Sequence, residues 1–132
     1  MKTVLVVAAA LVRGGQVLIA QRPPGKHMAG AWEFPGGKVA AGEAQAEALG
    51  RELREEIGVE MRSARHVLTL THEYPEKVVE LSFWVVDGFD GEPAGLEGQV
   101  LKWVPLAQLP EEPILPADRP FIEALQRLQL PR

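Results

Sequence analysis

Residues 36–59 read GGKVAAGEAQAEALGRELREEIGV, and the second half of this stretch has a helical period. Ala46, Leu49, Leu53 and Ile57 recur at three- and four-residue spacing, which predicts one apolar stripe on a helix from about Glu43 to Ile57. At about 100° per residue, Glu52 and Glu56 stand one turn apart on a flank of that helix, with Glu55 turned further towards solvent. Carboxylates this close repel one another, like charges at i,i+4 costing roughly a few tenths of a kcal/mol. Arg51 and Arg54 offer counter-charge, so a solvated, salt-bridged surface helix would account for the pattern on its own. Three features point to chemistry instead. Gly36, Gly37 and Lys38 form a loop whose backbone can closely approach a ligand. Gly58 stops the helix beside its charged turn, and Glu43 and Glu47 add further carboxylates to the same short element. Oxygen ligands at this density suit a hard divalent cation, Mg²⁺ with Mn²⁺ as a substitute, and the oxygens of a phosphate substrate.

The spacing Gly37-x5-Glu43-x7-Arg51-Glu52-Leu53-x-Glu55-Glu56-x-Gly58-Val59 resembles the Nudix box, with nine fixed positions filled over twenty-three residues, 37–59. The resemblance implies a loop–helix–loop that binds divalent metal and hydrolyses nucleoside diphosphates linked to another moiety. It also implies the Nudix fold, an α/β architecture with a mixed β-sheet in an α/β/α sandwich. Carried onto this chain, it makes Glu52 and Glu56 metal ligands, Glu55 a further ligand or base, and the Gly36 carbonyl part of the set. Arg51 then orients a glutamate. Glu43 takes a structural or water-mediated role, or is a plain charge at the helix N-terminus.

At 132 residues the chain is read as one domain, 1–132, long enough for one core and too short for two. No apolar run is long enough to span a bilayer. The start, MKTVLVVAAALVRGG, has the outline of a signal peptide, but Arg13 interrupts it and residues 16–21 continue as strand, so that reading is rejected. The absence of cysteine excludes a disulfide scaffold and fits a cytoplasmic protein. A net charge of −4 argues against a nucleic-acid polymer as partner. It also means that a small anionic ligand would need local positive groups or metal ions. A monomer or weak dimer is expected.

Outward from the box, Thr3–Arg13 predicts a strand buried on both faces, Gly14-Gly15 a tight turn, and Gln16–Arg22 the returning strand of a hairpin. Residues 26–32 read as a loop leading into a short extended piece, Glu33-Phe34-Pro35. Arg65–Glu73 and Lys77–Asp87 form a second predicted hairpin with Tyr74 at its tip, followed by a Gly/Pro/Glu loop over 88–98 and a strand over Gln99–Val104. A closing helix from Ala117 or Asp118 would carry Phe121, Leu125 and Leu128 on one face, with Asp118 as N-cap and Pro120 in the first turn.

Beyond the box the similarity extends to the MutT-like branch, the 8-oxo-dGTP diphosphatases. AQRP at 20–23, His27-Met28, Trp32–Lys38, GEP at 91–93, Glu97-Gly98-Gln99 and Pro116-Ala117-Asp118 occur in the same order as in that branch. By this resemblance Arg22 contacts the nucleotide, His27 lines the loop at the mouth of the site, and Phe34 packs on the base. Pro35, Gly36, Gly37 and Lys38 border the substrate, and Glu97 is an additional metal ligand or base. Tyr74 either stacks over the base or is simply a hairpin residue. The base-reading end departs from MutT, which has asparagine where Asp118 stands and arginine where Lys77 stands. An ionised aspartate only accepts hydrogen bonds, whereas a buried one with a raised pKa also donates. Asp118 also resembles the CTP pyrophosphohydrolases, and lysine in place of arginine loses a planar fork.

The implied activity is Mg²⁺-dependent hydrolysis of a nucleoside triphosphate to monophosphate and pyrophosphate, with 8-oxo-dGTP first and the removal of mutagenic precursors as its purpose. A CTP or 5-substituted dCTP pyrophosphohydrolase is the runner-up. A nucleotide-sensing or protein-binding module without turnover is the rival from another class, and the repelling carboxylates argue against it.

Overall fold

The computed structural model describes residues 2–128. The chain runs β1 (Lys2–Arg13), β2 (Gln16–Gln21), β3 (Trp32–Glu33), β4 (Gly36–Lys38), α1 (Gln45–Ile57), β5 (Glu60–Glu73), β6 (Lys77–Asp90), β7 (Leu101–Pro105) and α2 (Arg119–Arg127), with 3₁₀ turns at Leu106–Glu111 and Pro116–Asp118. The sheet follows the order β3-β2-β1-β6-β5, with β4 paired to β1 and β7 to β2. β1 and β6 run parallel over ten registered pairs from Lys2↔Lys77 to Leu11↔Val86, and the other pairings are antiparallel. The sheet is therefore mixed, as the sequence implied. The apolar start of the chain is β1.

Alternation along β1 sends side chains to two cores. Ala10 and Val12 join Val17, Ile19, Phe83 and Val85 beneath α2, where Phe121, Ile122 and Leu125 are buried. Val7, Ala9 and Leu11 face the other way, onto Leu49, Leu53 and Ile57 of α1. One helix thus covers each face of the sheet, and a sandwich results. The stripe of α1 differs from its predicted form at one position. Ala46 is exposed, and Ala48 is buried beside Leu49. The first turn is held instead by Gln45, whose Oε1 accepts the hydroxyl of the fully buried Ser82 at 2.6 Å.

Several boundaries move: β7 begins at Leu101 rather than Gln99, and α2 at Arg119. The box helix begins at Gln45, two residues later than its predicted start, because the Glu43 carboxylate accepts the Ala40 N–H at 2.9 Å and closes a turn before the helix. Strand β5 begins at Glu60 rather than Arg65, pairing as far as Glu60↔Asp90, so β6 absorbs Gly88, Phe89 and Asp90 from the predicted loop. Register shifts around Met61, Ser63 and Ala64 break the alternation that would have marked the strand in the sequence. Among the described residues no helix is long and apolar enough to cross a membrane.

Candidate active site

The loop before α1 is built without side-chain room. Gly36 pairs with Ala8 of β1, and a Cβ added there would lie 1.9 Å from the Val7 carbonyl oxygen. A Cβ on Gly37 would lie 2.3 Å from the carboxyl carbon of Glu52. The loop therefore cradles the first carboxylate of the helix face and, through the Gly36 N–H, donates to Glu56 Oε2 at 3.0 Å. Arg51 completes the arrangement from the same helix. Its Nε and Nη2 donate to the two oxygens of Glu43, each at 2.9 Å, its Nη1 to Glu52 Oε1 at 3.0 Å, and its Nη2 also to the Lys38 carbonyl at 3.0 Å. The Arg51 hydrogen bonds hold the Glu43 carboxyl down at about 2, with the Ala40 N–H acting in the same direction. Glu43 is thus a structural anchor for Arg51 and lies outside the helix. Glu55, 56% exposed, has the longest contact with Arg51, at 3.4 Å.

A cleft of about 330 Å³ opens against this face, lined among others by Arg22, Lys26, Glu33, Gly36, Glu56 and Glu97. Burial pushes the Glu56 carboxyl up to about 8. The Gly36 N–H opposes that rise, and the nearby charges of Glu97, Glu52 and Glu33 add to it. Arg22, which also lines the cleft, donates from Nε to the His27 carbonyl at 2.7 Å and from Nη1 to Glu33 Oε1 at 3.0 Å. Glu97 comes from the loop between β6 and β7. That loop is tied to the end of α1 by Ala94 N–H to Ile57 O and Leu96 N–H to Glu56 O, both at 3.0 Å. Gly58 ends α1 in the left-handed region at φ 71°, as its sequence position predicted.

A NUDIX domain model matches residues 6–124 of this chain. The chain belongs to the Nudix family. It is 41% identical to the CTP pyrophosphohydrolase of Escherichia coli strain K12 over all of this chain and 98% of the relative. It is 37% identical to the 8-oxo-dGTP diphosphatase of the same organism over 94% of this chain and 98% of the relative. The solution structure of the E. coli ORF135 protein superposes with a TM-score of 0.87 at 41% identity, covering 96% of this chain and 90% of that one.

Within the Nudix fold the sequence-selected residues do not all line one cleft. Gly36, Glu56 and Glu97 share the cleft with Arg22, Phe34 and Pro35. Glu52 adjoins them through Gly37 and the charge it exerts on Glu56. His27 is exposed and serves Arg22 through its backbone carbonyl. Tyr74 and Lys77 line a different depression, at the β5–β6 tip, with Lys77 Nζ 5.7 Å from the centre of the Tyr74 ring. The Phe34 ring sits in the core, 4% exposed and edge-on to Phe121 at 4.9 Å. Its N–H points to Asp118 Oδ2 at 3.4 Å. Asp118 stands at the start of α2 but makes no side-chain cap there, so the N-cap role falls away. It is 7% exposed, and burial pushes its carboxyl up to about 7, against the pull of the Phe34 N–H.

Lys26 and Glu33 line the cleft without having been assigned roles from the sequence. A cationic requirement was visible in the net charge, and Lys26 on the loop after Pro23-Pro24-Gly25 was its unused candidate.

The carboxylates of Glu52, Glu56 and Glu97 present oxygen, and the charges of Glu97 and Glu52 add to the rise at Glu56, a donor set that fits a hard divalent cation. Among the described residues no three of them are already gathered closely enough to hold one. The Glu52 carboxylate is turned to Arg51, at 3.0 Å.

Asp118 provides a test of this electrostatic description. A carboxyl with an ordinary pKa near 4 when unfolded and about 7 when folded stabilises the protein fully at low pH. That contribution is lost as pH rises through about 7. Asp118→Asn, which does not titrate, is expected to remove this slope. Denaturant unfolding at pH 5 and pH 8 should show wild type losing roughly 2 to 3 kcal/mol more than the variant over that interval. Parallel slopes would mean that Asp118 is ionised throughout.

Proposed function

We propose that this Nudix hydrolase cleaves a nucleoside triphosphate to monophosphate and pyrophosphate, with 8-oxo-dGTP as substrate. One observation carries the reaction class. One cleft is lined both by Glu56 and Glu97, with Gly36 of the glycine loop, and by Arg22 and Lys26. The carboxylate end suits a divalent cation held by Glu52, Glu56, Glu97 and the Gly36 carbonyl, with Glu55 further out. When bound, such an ion supplies charge neutralisation to phosphate oxygens and Lewis acidity to water. The chain's own residues do the positioning. Arg51 orients Glu52, the Gly36 N–H orients Glu56, and Arg22, fixed by Glu33 and the His27 carbonyl, presents a guanidinium to the nucleotide.

For the base the proposed reader is Asp118, which is not among the cleft-lining residues but contacts one of them, through the Phe34 N–H. Guanine offers two acceptors side by side, O6 and N7. Oxidation at C8 converts N7 to an N–H donor. A carboxyl that holds its proton near neutral pH donates through one oxygen and accepts through the other, matching the oxidised edge and not the normal one. The second reading, a CTP or 5-substituted dCTP pyrophosphohydrolase, is favoured by 41% identity with such an enzyme over the whole chain. An ionised Asp118 would accept the cytosine amine.

The deciding measurement is kcat/KM for 8-oxo-dGTP, dGTP, CTP and 5-methyl-dCTP with Mg²⁺. We expect 8-oxo-dGTP to exceed dGTP at least tenfold, about 1.4 kcal/mol of transition-state discrimination. That preference should fall above pH 7 to 8 as Asp118 loses its proton. A cytosine preference growing over the same pH range would transfer the assignment to the second reading.

A further inference from the structure

We propose that Gln99 is a positioning residue that fixes Glu97 relative to Glu56. Its amide bridges the two residues through their main chains. Nε2 donates to the Glu56 carbonyl at 3.1 Å, and Oε1 accepts the Glu97 N–H at 2.9 Å. The Glu56 carbonyl belongs to the last turn of α1, where carbonyls lack partners within the helix. It is shared between Gln99 and the Leu96 N–H. The Leu96 bond brings the loop to the helix, and the Gln99 amide sets the orientation of the next residue, Glu97. The surrounding loop is shaped for this bridge. A Cβ on Gly95 would lie 2.0 Å from the Gln99 carbonyl oxygen and 3.2 Å from its Oε1, so the chain wraps the glutamine with no side chain between. Gln99 also lines the same cleft as Glu97 and Glu56.

The inference rests on Glu97 acting in the proposed hydrolysis, and a double-mutant cycle separates the two. Gln99→Leu keeps the size of the side chain and removes both polar ends. Alone, it should lower kcat at least tenfold while KM changes less than threefold. In a Glu97→Gln background it should cost less than twofold, since there is no carboxylate left to position. Amide hydrogen exchange supplies a readout independent of turnover, and decides where turnover is too slow to measure. In Gln99→Leu the Glu97 amide should exchange at least tenfold faster, and the Leu96 amide, bonded to Glu56, should change less than twofold. If Gln99→Leu does not fold, Gln99→Met serves for both measurements.

Equal losses in the two backgrounds, or an unchanged Glu97 amide, would overturn the proposal. A silent Glu97→Gln would overturn the catalytic reading of Glu97 together with it. A costly Glu97→Gln beside a silent Gln99→Leu would overturn the positioning role alone.

Discussion

Replacing Glu56 by glutamine is expected to lower kcat/KM by roughly a thousandfold while leaving the fold intact. The two halves of this expectation have separate physical origins. Glutamine has the shape of glutamate and keeps an oxygen to accept the Gly36 N–H, so the contact that joins the loop to the helix survives. The carboxyl that it replaces is pushed up to about 8, chiefly by burial. Near neutral pH the free protein therefore holds it largely in its proton-bearing form. Its stabilising contribution is complete below the ordinary carboxylate range and disappears as pH rises through about 8. At pH 8 and above the variant should thus be at least as stable as wild type. Activity behaves differently, because in the proposed reaction Glu56 holds the divalent cation that neutralises phosphate oxygens, and a neutral amide is a much weaker ligand for a hard cation. Loss of several kcal/mol of transition-state stabilisation is the usual scale for a site of this kind, and about 4 kcal/mol corresponds to the stated factor. Steady-state kinetics beside thermal unfolding read both quantities. Wild-type turnover in the variant would remove Glu56 from the chemistry.

Such separation of charge from shape explains which parts of the molecule were legible in the sequence. The β1–β2 hairpin was plain because Gly14 and Gly15 both take positive φ, 59° and 76°, which a two-residue turn demands. The helix was plain because Leu49, Leu53 and Ile57 repeat with its period and Gly58 ends it. What escaped was non-local. The parallel pairing of β1 with β6 joins residues some 75 positions apart, from Lys2↔Lys77 onward, and no local pattern encodes it. The direction of Phe34 was also hidden. It follows a two-residue strand, too short for alternation to name a face, and Phe121, which receives its ring, lies in the last helix. Asp118 was read as a helix cap from its position before Pro120, although the fold gives its carboxyl to the Phe34 N–H. Gln99 belonged to the Glu97-Gly98-Gln99 stretch that resembles the MutT-like branch, but no local pattern assigned it a role. Its role depends on a helix end and a loop meeting in space.

The glycines of the loop give the strongest test of how tightly fold and site are joined, because two neighbours should fail in different ways. Gly36→Ala is expected to prevent stable folding. Its Cβ would lie 1.9 Å from the Val7 carbonyl oxygen and 2.6 Å from the Ala8 Cα. Both are backbone atoms of β1, the strand that also carries the parallel pairing to β6 and both cores. They can yield only by breaking the β1–β4 ladder, so the cost exceeds about 4 kcal/mol, a large part of the roughly 5–15 kcal/mol that holds a domain of this size together. Gly37→Ala meets a side chain instead. Its Cβ would lie 2.3 to 2.6 Å from the carboxyl atoms of Glu52, which swing away by rotating about flexible bonds. The protein should fold with a loss of about 1 kcal/mol, while Glu52 leaves its place between Gly37 and Arg51 and kcat falls on the order of a hundredfold. Thermal unfolding and kcat measured side by side distinguish the outcomes. Should Gly37→Ala retain full turnover, the Glu52 carboxylate would have no need of the cradle that the glycine provides. Should Gly36→Ala unfold at the wild-type temperature, the close approach of the two strands would not be what holds the loop against the sheet.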